Sequence, residues 1–453
     1  MHSTDDINLC EILRDLREQV SLFPQISQIN AERTKLKYDT MLKRYQSIYP
    51  WVLVGLLWIV ALLNYMDRQM LSTMKVAMMG DIHELETAEN FGRLMAIFLW
   101  IYGWMSPVAG LIADRVSRKW LIVASLGVWS GVTFAMGYAT SFDQLYLLRG
   151  LMGISEALYI PAGLALIADY HRGSTRSLAI GIHMTGLYFG QAMGGFGATV
   201  ANEWSWQQAF HLFGLIGLIY SVILIFLLKE QSRQVVTKPV LKISGLASVR
   251  YSLGMLFGTI SFWVILFYFA APSFPGWAAK NWMPTLFAGS LGIEMSSAGP
   301  LSTITIALSS FLGVIGGGIL ADRWILKNLR GRIYTGAIGL GLTVPALLFL
   351  GFGTGTIGVV GGAILFGIGF GMFDANNMPI LCQFVSSRHR AAGYGLMNMT
   401  GVFAGAFITN LLGKSTDSGN LGRDMALLAI PVTIAIVLQL SVLHPKVADK
   451  LDD

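Results

Sequence analysis

About twelve apolar windows of ~20 residues, each the length a helix needs to cross ~30 Å of hydrocarbon, recur along this chain of 453 residues. In lipid every backbone N–H and C=O must be satisfied within the segment, so such a chain is restricted to a helical bundle. The windows fall near 50–72, 92–113, 120–141, 144–168, 177–200, 209–228, 250–272, 298–320, 333–352, 357–381, 392–412 and 424–443. The seventh is expected to run on toward Phe287 with an irregular outer end, because Pro272, Pro275 and Pro284 interrupt it. Charged residues make up 13% of the chain, against roughly 25% in a soluble domain, too few to cover a water-facing surface. The fold class is therefore all-α membrane protein with twelve transmembrane helices.

Orientation follows from Lys and Arg beside the spans. With both termini cytoplasmic, the inner loops carry Arg115, Arg118, Lys119, Arg172, Arg176, Arg323, Arg330, Arg332, Arg388 and Arg390, whereas the outer ones carry Asp81, Glu84, Glu86, Glu89 and Glu203. The net charge of +6 is then a matter of topology, and no nucleic-acid partner is implied; the partner is the lipid bilayer. Cys10 and Cys382 offer neither a disulfide framework nor a metal site. Residues 1–47 lack the apolar core of a secretory signal. They read either as a cytoplasmic extension with a short amphipathic helix around Ile7–Leu22 or as a start-codon artefact.

The string Gly110-Leu-Ile-Ala-Asp114-Arg115-Val-Ser-Arg118-Lys119 lies between spans two and three, and a partial echo, Gly318-Ile-Leu-Ala-Asp322-Arg323, lies between spans eight and nine. The two copies are close to half the chain apart. This marks a duplicated six-helix unit: an N-terminal bundle over 48–228, a cytoplasmic linker over 229–249, a C-terminal bundle over 250–443 and a tail over 444–453. The duplicated motif resembles that of the major facilitator superfamily, from about residue 48 to 443. That resemblance implies two bundles about a central cavity near the midplane, a functional monomer, and a cytoplasmic latch built from Gly110, Asp114, Arg115, Arg118, Gly318, Asp322 and Arg323 that stabilises the outward-open state.

Charges inside apolar windows are costly and mark function by default. Asp67 and Arg68 lie in the first span, and Arg149 and Glu156 in the fourth. The latter two are seven residues apart and so share one helix face at ~3.6 residues per turn. Counting ~1.5 Å per residue puts Asp67 and Arg149 at similar depths, so an ion pair between them is expected, which protonation would switch. Asn64-Tyr65-x-Asp67-Arg68 with Arg149-Gly150-x-x-Gly153-x-x-Glu156-Ala157-x-x-x-Pro161-Ala162 resembles the anion:cation symporter family of hexonate, hexuronate, sialate and phosphate carriers. By that resemblance Arg68 binds the substrate carboxylate, Asp67 with Arg149 forms the proton-sensitive pair, and Glu156 couples a second protonation.

Further substrate-side candidates are Tyr65, Tyr102, Tyr159 and Gln191 in the first half and Asn376, Asn377 and Asn398 in the second; interhelical hydrogen bonding accounts for several of them equally well. Asp374, before Asn376-Asn377-Met378-Pro379, departs from the family pattern and is read as a coupling-ion ligand or a repeller of anions. Lys75 and Lys280 read as snorkelling lysines near outer helix ends. Gly186, Gly190 and Gly194 repeat every fourth residue and permit close helix approach.

Together these readings imply a secondary active transporter in the plasma membrane (the inner membrane of a bacterium), moving a sugar acid by symport with H+ or, alternatively, Na+. No cofactor, metal site or catalytic constellation is implied. A spinster-like carrier of lysolipids, resembled through Asn64-Tyr-Met-Asp-Arg68 and Ser117-Arg-Lys-Trp-Leu121, and a neutral or phosphorylated sugar transporter are the alternatives.

Overall fold

A computed structural model describes residues 48–171, 175–230, 253–386 and 389–447. The N-terminal extension, most of the expected linker, Arg172, Arg388, the end of the tail and the side chains of Asp114 and Arg115 lie outside the described part. The chain divides into two compact units, Met1–Leu53 and Val54–Asp453. Of the first, residues 48–53 are described and are helical; the second holds the contacts of the bundle.

Among the described residues ten helices are long and apolar enough to cross a membrane. They are α1 (Ile48–Leu71), α3 (Arg118–Met136), α4 (Phe142–Tyr170), α6 (Trp206–Leu227), α7 (Ile260–Leu291), α8 (Met295–Ile325), α9 (Gly331–Phe352), α10 (Gly355–Phe384), α11 (Ala392–Asp417) and α12 (Leu421–Val442). Two further long helices, α2 (Ala88–Arg115) and α5 (Arg176–Gly194), complete twelve among the described residues.

Helix starts in the first half are written in the sequence as Ser or Thr caps. Thr87, Ser117, Ser141 and Ser205 each accept a hydrogen bond from the backbone N–H three residues on, at the heads of α2, α3, α4 and α6. Three spans are broken in the middle, and each break has the same cause. Pro161, Pro379 and Pro431 occupy the third position of the segments beginning at Tyr159, Asn377 and Ala429. Proline is tolerated in a first turn, but its ring clashes with the carbonyl four residues back, which falls at Ala157, Ala375 and Leu427, beside each break. Proline alone does not decide the matter: Pro272, Pro275 and Pro284 sit inside the continuous α7. The expected seventh span is thus corrected in two ways. It begins later, at Ile260, and it stays helical to Leu291, where Gly292 turns left-handed at φ 63°.

Glycines set the closest approaches. A Cβ on Gly186 would come within 2.6 Å of the Trp58 carbonyl, and one on Gly190 would collide with that of Leu62, so α5 runs directly against the backbone of α1. Within the first half α2 packs on α4 and α3 on α6, and within the second α8 and α9 pack on α10. Between the halves α2 lies along α11 and α5 along α8.

The halves are clasped at the end that holds the α1 C-terminus. Ala88 N and Glu89 N, at the head of α2, donate to Asp417 Oδ1 and Oδ2 at 2.7 and 2.8 Å. Lys414 pairs with Glu89 at 3.2 Å, Gln69 Nε2 donates to the Lys280 carbonyl at 2.7 Å, and Thr199 Oγ1 to that of Ser296 at 2.9 Å.

Candidate functional site

The charged residues of the first half meet in one buried network, with partners other than those expected. Glu156, fully buried on α4, accepts from Arg68 Nε at 2.5 Å and from Asn64 Nδ2 at 2.9 Å, both on α1. The predicted Asp67–Arg149 ion pair is not formed among the described residues. Asp67 accepts only from Thr133 Oγ1, at 3.4 Å, while Arg149 donates to Met152 Sδ at 3.1 Å. The reason is angular: residues 67 and 68 are adjacent and therefore ~100° apart around α1, and it is Arg68 that turns toward α4.

Arg68 is boxed by aromatic rings, its Cζ lying 5.0 Å from the centroid of Tyr65, 4.8 Å from Phe98 and 4.7 Å from Tyr102. Arg149 Cζ lies 4.9 Å from Phe98 as well, so that one ring stands between two guanidiniums. Gly153 permits this, since a Cβ there would come within 2.7 Å of the Phe98 carbonyl. Asp67 Oδ1, Glu156 Oε1, Arg68 Nη2 and Arg149 Nε remain buried without a hydrogen-bond partner among the described residues. Such atoms are costly to leave unsatisfied.

A cavity of 280 Å³ lies next to this network, between the halves. That is just below the roughly 300–1,000 Å³ of small-molecule pockets. Of the sequence candidates, Tyr65, Gln191, Asn377, Asn398 and Asp374 line it. Arg68 does not, but Tyr65 forms both a wall of the cavity and a face of the Arg68 box. Tyr159 is fully buried and donates to the Leu57 carbonyl at 2.7 Å, which makes it a packing residue. Asn376, buried, donates to the Met372 carbonyl at 2.8 Å and leaves the lining to Asn377. Asn398 Nδ2 donates to Ser106 Oγ across the halves at 2.9 Å.

One placement overturns its expectation outright. Lys280 does not snorkel. Because α7 continues to Leu291, Lys280 lies about three turns before its end, in the cavity wall, with Nζ 4.6 Å from the Trp277 ring and 5.7 Å from that of Tyr65. Lys75, in a short helix beyond α1, instead donates to the Glu86 carbonyl at 2.9 Å. Burial pushes its ammonium pKa down and Asp417 pulls it part of the way back.

Of the motif expected to form a latch, the described residues of the first copy are tied within their own half. Arg118 bonds the Ala165 carbonyl at 3.1 Å and pairs with Asp169, tying α3 to α4, while Glu230 accepts from Ser117 Oγ and, at 2.9 Å, from Arg118 N. Asp169 and Glu230 were missed because neither stands within the repeated string. In the second copy Asp322 and Arg323 are exposed and make no ion pair among the described residues, and a side chain at Gly110 or Gly318 would meet open space. Among the described residues no ion pair of this motif crosses between the halves.

Comparison with known proteins agrees with this architecture. The hexuronate transporter of Bacillus subtilis (strain 168) is 24% identical over 378 residues, covering 78% of this chain and 89% of that protein. The galacturonate transporter of Dickeya chrysanthemi is 25% identical over 328 residues, covering 67% and 90%. Protein spinster of Drosophila melanogaster is 29% identical over 187 residues, 40% of this chain and 30% of its own length. In fold, a bacterial homologue of the human lysosomal transporter spinster, solved inward-facing and unoccupied, superposes with a TM-score of 0.71 at 19% identity, covering 86% of this chain and 96% of that one. The profile described as Major Facilitator Superfamily matches residues 57–409, and the chain belongs to that superfamily, as a multi-pass membrane transporter rather than an enzyme.

Proposed function

We propose that the protein is a proton-coupled symporter of a small organic anion, with sugar acids as its substrate class, working by alternating access between its two halves. The observation that carries this reading is the buried Arg68–Glu156 pair at 2.5 Å, one ring away from the cavity. While Glu156 is ionised, it holds Arg68. A proton on Glu156 removes that charge, and the positive field of the freed guanidinium then favours an anion in the adjoining cavity. Proton and anion are thereby bound together and released together. Asp67, also buried with one oxygen unpartnered, is the second candidate for protonation. The basic loops lie at the end opposite the clasp, so the charge rule makes the clasped end the outer one and the conformation inward-facing. The relatives named as hexuronate and galacturonate transporters support the substrate class.

A second reading, an amphiphile carrier, draws on the wall of Phe269, Phe366, Phe370 and Phe373 in the cavity and on the relatives named spinster. Uptake into liposomes under an inward proton gradient separates the two, comparing labelled glucuronate, gluconate, sialate and a lysolipid, with Arg68→Ala as control. The symporter reading expects gradient-driven uptake of a sugar acid that the variant loses. Uptake of the lysolipid alone would overturn it in favour of the second reading.

A further inference from the structure

We infer that Lys280 and Asp374 are the specificity-determining pair of the cavity: Lys280 takes the substrate's carboxylate, and Asp374 accepts hydrogen bonds from hydroxyl groups on the neighbouring carbons. The inference rests on the sugar-acid reading and adds to it a site in the second half of the chain.

Among the described residues lining the cavity, these two carry the charge. They belong to different elements, Lys280 to α7 and Asp374 to the break in α10, and they make no ion pair within 4 Å among the described residues. Each is held in place without being neutralised. The Lys280 ammonium lies against the rings of Trp277 and Tyr65, which offset part of its lost hydration while leaving three N–H donors uncommitted. Trp277 is itself packed closely against Gly405, where any Cβ would collide with its ring. The Lys280 carbonyl receives Gln69 Nε2 from the other half at 2.7 Å, which pins the α7 backbone at this position.

Asp374 is the last residue before the chain leaves the helix, and its side chain is exposed. One oxygen accepts from Asn377 Nδ2 at 3.2 Å. An ionised carboxylate has only acceptor sites, so what remains is a receptor for hydroxyl donors. A polyhydroxy acid complements both groups at once. A simple alkyl acid would satisfy Lys280 but face the uncompensated charge of Asp374; a neutral polyol would satisfy Asp374 but leave Lys280 without its anion. Asp374 thus selects among anions, by favouring those that bring hydroxyls with them.

The test is binding of three probes to the purified full chain by calorimetry: gluconate, hexanoate and sorbitol. Each is measured on wild type, Lys280→Gln, Lys280→Arg and Asp374→Asn. The readout is the ratio of affinities on the same preparation, which does not depend on the folded fraction. Wild type is expected to prefer gluconate over both others. Lys280→Gln should lower the gluconate-to-sorbitol ratio by about tenfold or more, and Lys280→Arg should restore most of it, as expected for a charge-assisted hydrogen bond. Asp374→Asn should lower the gluconate-to-hexanoate ratio by about tenfold, mainly by raising hexanoate affinity. If wild type prefers gluconate and the Lys280→Gln and Asp374→Asn ratios stay within twofold of wild type, the inference fails while the sugar-acid reading stands. If wild type does not bind gluconate, the sugar-acid reading fails and this inference with it.

Discussion

The first half buries its membrane charges against one another, and the second leaves its charges facing the cavity. Glu156 is fully buried under Arg68 and Asn64, whereas Lys280 and Asp374 line the space between the halves without forming a pair. A buried pair is a poor binding site in its ionised state, because its partners are already committed, but it responds strongly to one proton. Uncommitted charges bind well and switch poorly. On the proposed function, the duplicated architecture divides the labour, with coupling in one half and recognition in the other.

The largest effect should come from breaking the buried pair. Arg68→Ala strands Glu156 and is expected to cost about 3–5 kcal/mol of stability and to reduce gradient-driven uptake to background. Asp374→Asn should cost less than about 1 kcal/mol by the same thermal unfolding measurement, because its carboxylate lines the cavity with no ion-pair partner among the described residues. Equal losses for the two variants would erase the distinction between the halves.

Next comes Gly190→Ala. Its new Cβ would collide with the Leu62 carbonyl, and backbone gives less readily than a side chain, so a loss of about 1–3 kcal/mol is expected. Gly110→Ala, with open space around its Cβ, is the control and should be neutral or slightly stabilising in the same melt.

Asp417→Asn should loosen the clasp by about 1 kcal/mol, since it removes a carboxylate from the head of α2. In a background without Cys10 and Cys382, a cysteine placed at Ser296 should then react about fivefold faster with a water-soluble maleimide, the factor that ~1 kcal/mol represents.

The smallest effect concerns His83. The hydrogen bond and charge of Glu86, 2.9 Å away, hold this exposed imidazole above its ordinary pKa. The protonated ring's contribution is accordingly present below the unfolded-state pKa and lost as pH rises through the folded one. Titration followed by NMR should show the raised midpoint, and His83→Gln should leave uptake within twofold.

What was legible in the sequence, and what was not, divides along physical lines. Segment-level hydropathy locates the helices because each must satisfy its own backbone, but proline alone does not locate the breaks: Pro379 stands at one, whereas Pro272, Pro275 and Pro284 lie inside a continuous helix. Side-chain partnership is another matter. Depth along a helix can be counted from sequence, but rotation against a neighbour depends on packing, so Asp67 and Arg149 at equal depth gave the wrong pair while Arg68 and Glu156 formed the right one. Lys280 was misread through a boundary: a span thought to close near Phe287 with an irregular end put the lysine at the interface, whereas the helix that continues to Leu291 puts it in the cavity. Asn376 and Asn377 differ by one position across the break at Ala375, and nothing in their order tells which one turns to the cavity.

The most direct test of the division between coupling and recognition is to compare gradient-driven accumulation with equilibrium exchange in Glu156→Gln, reconstituted in liposomes with labelled gluconate. The account predicts that exchange of internal for external substrate persists while accumulation driven by a proton gradient is lost. Accumulation at the wild-type level in Glu156→Gln would contradict it.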